Sequence, residues 1–149
     1  MRSFLSCVSL SALCLVGAGC SEAPAAGDTA PLKPALQSRT GLASYYGTLL
    51  HGEETASGEV FDKRDLVAAH PSYPFDTIVR VTNLENSRSV EVRITDRGPA
   101  KRHQSDGVII DVSPRAAKEL RFVKKGRARV RVDVLEWGPR SVSDPSRTE

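Results

Sequence analysis

Apolar and polar residues alternate along several short segments of this chain, and the pattern predicts a domain built mainly from β-strands. The alternation is strict in residues 78–82, 90–94 and 128–134, which we expect to be half-buried strands. Residues 42–46 and 108–112 are predicted as two more strands. A polar stretch, residues 83–88, joins the first two alternating segments, and its Asn86 tolerates the left-handed backbone of tight turns, so a hairpin is expected there.

One helix is well signalled between these strands. Ser113 can cap its first turn, Pro114 suits its first position, and residues 116–120 continue it until Gly126 ends the following loop. The remaining segments are short strands and turns. This combination predicts a small β-barrel, because closing the sheet leaves no exposed strand edge.

The N-terminus has the pattern of an export signal rather than of a membrane span. Positive charge at Arg2 precedes an apolar run over residues 4–16, and Gly-Ala-Gly leads to Cys20. The 3 cysteines all lie in this segment, so the folded part is expected to hold together without disulfides. Cys20 resembles the lipid-modified cysteine of bacterial lipoproteins. Secretion without a lipid is the alternative.

Composition divides the rest of the chain. Residues 1–20 are the predicted lipoprotein signal peptide, and residues 21–39, rich in Ala and Pro, are expected to be a flexible linker. Residues 40–137 form the one predicted domain, and residues 138–149 are expected to be a disordered tail. The net charge of +3 is small and dispersed, which argues against a nucleic-acid partner. We expect a monomer.

Two tight loops present carboxylates. One is Thr-Ala-Ser-Gly-Glu, ending at Glu59, and the other is Thr-Asp-Arg-Gly-Pro, which contains Asp96. Asp96 continues the apolar side of its strand, so its side chain should reach the mouth of the barrel and could act as a general acid. The alternative is that it only accepts backbone N–H groups of the Arg97–Gly98 turn.

Glu59 is the second candidate acid. If it approached Asp96, repulsion between the two carboxylates would raise the pKa of one of them, which is the division that acid–base chemistry requires. Arg97 could instead lower the pKa of its neighbour Asp96. The alternative for Glu59 is an ordinary surface residue.

The histidines and aromatic residues offer weaker signals. His51, His70 and His103 lack the regular spacing of metal ligands, so no metal is expected. His70 could orient an acid or a sugar hydroxyl, whereas His103 is expected to face solvent. Tyr46 is the aromatic residue we expect in a binding groove. The other aromatic residues, which could stack on sugars or fill the core, are expected to be mostly core: Tyr45, Tyr73, Phe61, Phe75 and Trp137.

Taken in order, these segments resemble the rare lipoprotein A (RlpA-like) family, septal-ring lytic transglycosylases with a six-stranded double-psi β-barrel. The segments that carry the resemblance are residues 43–47, 51–52, 55–61, 68–70, 74–75, 79–84, 96–99 and 110–113. The chain departs from the family at Tyr46, where Trp is frequent, and at Asp76 and Ser87, where Gly is frequent. It also has a polar loop over residues 101–107 that is longer than usual.

The resemblance implies endolytic cleavage of the bond between N-acetylmuramic acid and N-acetylglucosamine in peptidoglycan, with preference for strands without stem peptides. The product would be a 1,6-anhydro sugar. Asp96 matches the family's catalytic Asp, Glu59 its partner Glu, and His70 a histidine of the same groove. Tyr46, His51 and Arg97 are expected to contact substrate beside them. No cofactor is implied.

The expected location is the bacterial cell envelope, with a lipid on Cys20 and an outer-membrane address from the absence of Asp at Ser21. Two alternatives remain at this stage. One is a non-catalytic, expansin-like lipoprotein that binds cell-wall glycan. The other is a secreted hydrolase that cleaves a different polysaccharide by the two-carboxylate inverting route.

Overall fold

A computed structural model describes residues 33–47 and 50–139 of the chain. The strands are β1 (Gln37–Tyr45), β2 (Val67–Ala69), β3 (Ile78–Asn83), β4 (Ser89–Asp96), β5 (Val108–Val112) and β6 (Ala128–Glu136), and the helices are α1 (Lys101–Ser105) and α2 (Pro114–Glu119). No helix within these ranges is both long and apolar enough to cross a bilayer. The predicted signal peptide with Cys20, and the tail from residue 140, lie outside the described residues.

The strands close into a barrel, as the sequence predicted, and their order around it is β1-β5-β2-β4-β3-β6. The pairs β1–β5 and β2–β4 are parallel, and the other four neighbouring pairs are antiparallel. The predicted hairpin is confirmed, with Ile78 opposite Arg93 and Thr82 opposite Ser89. The connection from β1 to β2 passes the end of β4, where the Ser57 amide donates to the Thr95 carbonyl at 3.1 Å.

The interior is filled by small and branched side chains. Burial alternates along β3 and the first part of β4, as their sequence pattern predicted. Val79, Val92, Val130 and Ile94 are at most 1% exposed and belong to one apolar cluster. With such side chains the six strands can approach closely, which leaves no room for a ligand inside and directs functional groups to the barrel surface.

The predicted helix is confirmed as α2. The Ser113 hydroxyl accepts the amide of Ala116 at 3.3 Å, and Pro114 occupies the first turn. The same hydroxyl donates to the Asp65 carbonyl at 2.6 Å, which ties the helix to the loop before β2. The cap therefore also fixes the approach to the β2 segment.

The structure corrects several boundaries. β1 begins at Gln37, so three residues of the expected linker, 37–39, pair with β6. β2 was missed because it has only 3 residues, all buried, and therefore no alternation. The loop expected over residues 101–107 contains α1, whose residues are all polar and none buried, so no apolar period indicated a helix.

The hairpin turn also differs from the expectation. Ser87 has the left-handed backbone, with φ of 58°, whereas Asn86 uses its side chain to accept the Arg88 amide at 3.0 Å. Asp76 has φ of 63°. Ser87 and Asp76 are the two positions where the resembled family frequently has Gly, and positive φ is the physical reason for a Gly preference there.

Candidate active site

Asp96 is the last residue of β4, and its carboxylate is held by groups from three parts of the chain. Oδ1 accepts the amides of Ala56 at 2.9 Å and of Arg97 at 2.8 Å. Oδ2 accepts the hydroxyl of Tyr46 at 3.2 Å. The turn contact expected as the structural alternative is thus present, together with two contacts from distant segments. The carboxylate is half-buried and its orientation is fixed.

The Thr-Ala-Ser-Gly-Glu loop packs on the end of β4. The Thr55 amide and hydroxyl both donate to the Glu59 carbonyl, at 2.8 and 2.9 Å, and Gly58 has φ of 88°. The Ser57 amide donates to the Thr95 carbonyl at 3.1 Å. These bonds curl the loop so that the Ala56 amide points at Asp96, and Gly58 supplies the left-handed step that the curl requires.

The Glu59 side chain has a different partner from the one predicted. Both of its oxygens accept from the Arg93 guanidinium, each at 2.7 Å, and Arg93 also donates to Asp76 at 2.8 Å. Hydrogen bonds from Arg93 lower the pKa of Glu59. The predicted rise in pKa by repulsion between Glu59 and Asp96 is therefore wrong for Glu59, because the guanidinium stabilises its charged form.

His70 follows β2 directly and is hydrogen-bonded to the backbone of Asp96. Its amide donates to the Asp96 carbonyl at 3.1 Å, while its Nδ1 accepts the amides of Ser72 at 3.2 Å and Tyr73 at 3.0 Å. Burial lowers the pKa of His70 to about 3, and the charges of Arg39 and Arg97 act in the same direction. The ring is therefore neutral at ordinary pH. Since Nδ1 is an acceptor, the proton is on Nε2.

Tyr46, the aromatic residue expected in a binding groove, lies next to Asp96 and donates its hydroxyl to Oδ2. Its ring packs against Phe61 with 5.0 Å between centroids, and burial together with the nearby Asp96 raises the pKa of its hydroxyl. The hydroxyl therefore stays protonated and remains a donor.

His51 and the Arg97 side chain point elsewhere. His51 Nδ1 lies 3.7 Å from Asp62 and has no hydrogen bond to the groups around Asp96 in the described part of the chain. Arg97 Nη1 donates to the Tyr73 carbonyl at 2.9 Å, and its Cζ lies 3.8 Å from the centre of the Phe75 ring. Arg97 thus contributes its amide to Asp96 and directs its charge to a neighbouring surface.

Asp111 is a second carboxyl of the site that the sequence analysis missed. It lies on β5 in register with Ser44 of β1, whose hydroxyl donates to Asp111 Oδ1. Burial raises the pKa of Asp111, and the negative charge of Asp96 raises it further. A charged residue within an apolar strand was the available signal, but only the β1–β5 register shows where it points.

Gly98 makes room for the two carboxyls. A Cβ atom added there would lie 3.3 Å from the Ala69 Cβ and 3.7 Å from Asp111 Oδ2, at a φ of 159°. The backbone after Asp96 therefore passes close to both β2 and β5. Among the described residues, no group of three or more His, Cys, Asp or Glu side chains is arranged to hold a metal ion.

Comparison with known proteins shows what this arrangement is similar to. A protein of Pseudomonas aeruginosa called endolytic peptidoglycan transglycosylase RlpA is 49% identical over 100 residues, which are 65% of this chain and 28% of the relative. Proteins of the same name from Campylobacter jejuni and Rickettsia bellii are 43% identical over 98 and 108 residues, covering 66% and 70% of this chain and 34% and 46% of theirs. The chain thus spans less than half the length of these curated relatives.

Two solved structures share the fold. Streptomyces papain inhibitor superimposes with a TM-score of 0.55 at 22% identity, over 69% of this chain and 98% of its own. A mutant Clavibacter michiganensis expansin in complex with cellohexaose gives 0.51 at 17%, over 69% and 54%. The family described as Lytic transglycolase, a double-psi β-barrel family, matches residues 38–132, from β1 into β6. The chain therefore belongs to the lytic transglycolase family.

Proposed function

We propose that this domain is an endolytic lytic transglycosylase that cleaves peptidoglycan between N-acetylmuramic acid and N-acetylglucosamine and leaves 1,6-anhydro ends. The observation that carries the proposal is the Asp96 carboxylate, which is oriented by Ala56, Arg97 and Tyr46 at the end of β4. The names of the relatives, endolytic peptidoglycan transglycosylase RlpA, support the same activity. Strands without stem peptides are the proposed preferred substrate.

In the proposed reaction one carboxyl serves twice. Protonated Asp96 gives its proton to the glycosidic oxygen as the bond from that oxygen to the muramic acid C1 breaks. The C6 hydroxyl of the same muramic acid then bonds to C1, and its proton returns to Asp96. Atoms and charge balance without water or a cofactor, and the ring oxygen shares the positive charge that develops between the two steps.

Glu59 and His70 are proposed to assist from two sides. Glu59 is held ionised by Arg93, so it can stabilise the positive charge that develops on the sugar. His70 is neutral and has Nε2–H without a partner among the described residues, so it can donate to a sugar hydroxyl or N-acetyl oxygen. Tyr46 keeps Asp96 in place through its hydroxyl.

We also propose the envelope location predicted from the sequence. In this proposal residues 1–20 are a lipoprotein signal peptide, a lipid on Cys20 anchors a monomer to the outer membrane, and residues 21–39 act largely as a tether. The barrel domain would then face the periplasm within reach of the glycan strands. His51 is proposed to contact substrate next to the 53–61 segment.

Replacing the proposed acid should abolish product release. Asp96→Asn removes the transferable proton, and general acid–base catalysis contributes roughly 10²–10⁴-fold, so the rate should fall by at least about 100-fold. The rate of product release is measured by mass spectrometry of the products from peptide-free and intact peptidoglycan. Asp65→Asn, an exposed carboxylate without a side-chain partner in the described residues, is the matched control and should retain full activity.

The product identifies the reaction class. Anhydro ends support transglycosylation, whereas reducing ends would indicate a hydrolase. Binding to sacculi without any soluble product from the wild type would indicate an expansin-like binding protein. Undiminished activity of Asp96→Asn would refute the assigned role.

The charge of Glu59 should matter to catalysis in a pH-dependent way. Glu59→Gln is expected to lower kcat by about 10- to 100-fold, while Glu53→Gln in the same loop should have no effect. Arg93→Gln removes the group that lowers the Glu59 pKa, so that pKa should rise. As the pH is lowered, the variant should therefore lose activity at a higher pH than the wild type does. An acid limb that stays in place in Arg93→Gln would contradict this assignment.

His70 should make the folded protein sensitive to acid. The unfolded chain takes up a proton on His70 below about pH 6.5, but the folded ring resists protonation until about pH 3, so stability falls as pH falls through this window. His70→Asn keeps an acceptor for the two amides without titrating. The free energy of unfolding, measured in urea at each pH, should fall more steeply on acidification in the wild type than in His70→Asn, by up to about 1.4 kcal/mol per pH unit. Equal slopes would mean that the ring is not held neutral.

The proposed anchor has a direct test. Cys20→Ala should move the protein from the membrane fraction to the soluble envelope fraction, because a lipid-modified cysteine would be lost. Immunoblots of the two fractions measure the distribution, with Cys7→Ala as the control. Retention of the Cys20→Ala protein in the membrane fraction would rule out this anchor.

A further inference from the structure

Trp137 is the single tryptophan of the chain and is 40% exposed. It follows β6 directly and lies beyond residues 38–132, which the family matches. A partly exposed indole ring presents an apolar face to solvent, and a tryptophan of this kind is suited to stack on a ligand.

The ring is held rigidly rather than left free. Trp137 packs on Tyr73 edge to face, with 5.2 Å between centroids and 88° between planes. The next amide, of Gly138, donates to the Thr77 hydroxyl at 3.1 Å. A Cβ on Gly138 would lie 1.8 Å from the Phe75 carbonyl oxygen, so the backbone is pressed against the 75–77 segment. A surface ring fixed in this way loses little conformational freedom when it binds a ligand.

The ring is continuous with the candidate active site. Tyr73, its packing partner, stacks on His70 with 3.5 Å between centroids, and the His70 amide is bonded to the Asp96 carbonyl. Trp137 is therefore connected through the Tyr73 ring to His70, the residue whose amide bonds Asp96. It lies one aromatic ring away from that residue and is not in contact with Asp96 itself.

Arg97 contacts Tyr73 and Phe75, the same two residues that Trp137 and Gly138 pack against. Its guanidinium lies over Phe75 and bonds the Tyr73 carbonyl through Nη1. Its other N–H groups make no hydrogen bond within the described residues. An apolar ring and free N–H donors that share the neighbours Tyr73 and Phe75 can together suit a pyranose, which has apolar C–H faces and a rim of hydroxyl and carbonyl oxygens.

We propose that Trp137 and Arg97 form a further subsite that binds an N-acetylated sugar adjacent to the bond at Asp96. The subsite deepens the proposed function and rests on it for the identity of the glycan. Trp137 stacks on the sugar face and Arg97 donates to its oxygens. The sugar that occupies it is not cut there, so the subsite contributes to the binding of long strands and not to the chemical step.

The unique tryptophan makes the test direct. Chitohexaose, a β-1,4-linked N-acetylglucosamine hexamer, is titrated into the Asp96→Asn protein while tryptophan emission and calorimetric heat are followed. We expect a saturable change in emission with the same midpoint as the heat. Saturable heat without a change in emission, or no binding at all, would overturn the subsite.

Kinetics on peptide-free glycan strands test the same point in the active protein. Trp137→Ala should raise KM by about tenfold with kcat nearly unchanged, and Trp137→Phe should lie between it and the wild type because an aromatic face remains. Leu84→Ala, an equally exposed apolar residue in the β3–β4 turn, is the control. Unchanged KM in Trp137→Ala, or equal losses in the control, would contradict the proposal.

The two proposals fail in different ways. If the wild type releases no anhydro product yet chitohexaose still changes Trp137 emission, the subsite stands and the transglycosylase activity does not. If the wild type cleaves glycan and Trp137→Ala behaves like wild type, the activity stands and the subsite is wrong.

Discussion

The structure depends on the way the end of β4 is held. At this one residue the Asp96 carbonyl accepts the His70 amide, while the carboxylate accepts the amide of Ala56 and the hydroxyl of Tyr46. These donors come from segments far apart in sequence, and the parallel β2–β4 pairing brings the first of them into place. The backbone bond that extends the β2–β4 pairing and the bonds that orient the proposed acid therefore meet at one residue, so stability and the proposed function depend on the same position.

The carboxyl groups of Glu59 and Asp111 have different partners, and these partners shift their pKa values in opposite directions. Glu59 is stabilised as an anion by Arg93, whereas Asp111 is half-buried and its pKa is raised, mainly by loss of solvent. The two carboxyls thus have opposite tendencies, because one is exposed and paired with a guanidinium, while the other is partly desolvated and bonded to the Ser44 hydroxyl. The two acidic loops of the sequence predicted such a division between Glu59 and Asp96, whereas the structure places it between Glu59 and Asp111.

The elements that the sequence predicted correctly are those whose signals are local. Alternation identified β3, β4 and β6, and Ser113-Pro114 identified the start of α2, because these signals act within a few residues. Segment order and motif resemblance led to Asp96, Tyr46 and His70. The partners of Glu59 and Asp111 depend on strand register and on long side chains from other strands, which no local pattern encodes. α1 and β2 were too short or too uniform to give a period.

The base of the site is built from uncharged donors, and this limits what the site can do. A protonated His70 would place a buried cation under Asp96, but burial and the two amides on Nδ1 keep the ring neutral. Charged groups are found at the rim, where Arg93 pairs with Glu59 and Asp76. In the proposed reaction, a positive charge that develops on a bound sugar therefore meets the ionised Glu59 carboxylate and an uncharged His70 ring. That environment favours a cationic sugar intermediate and is consistent with attack by the sugar's own hydroxyl.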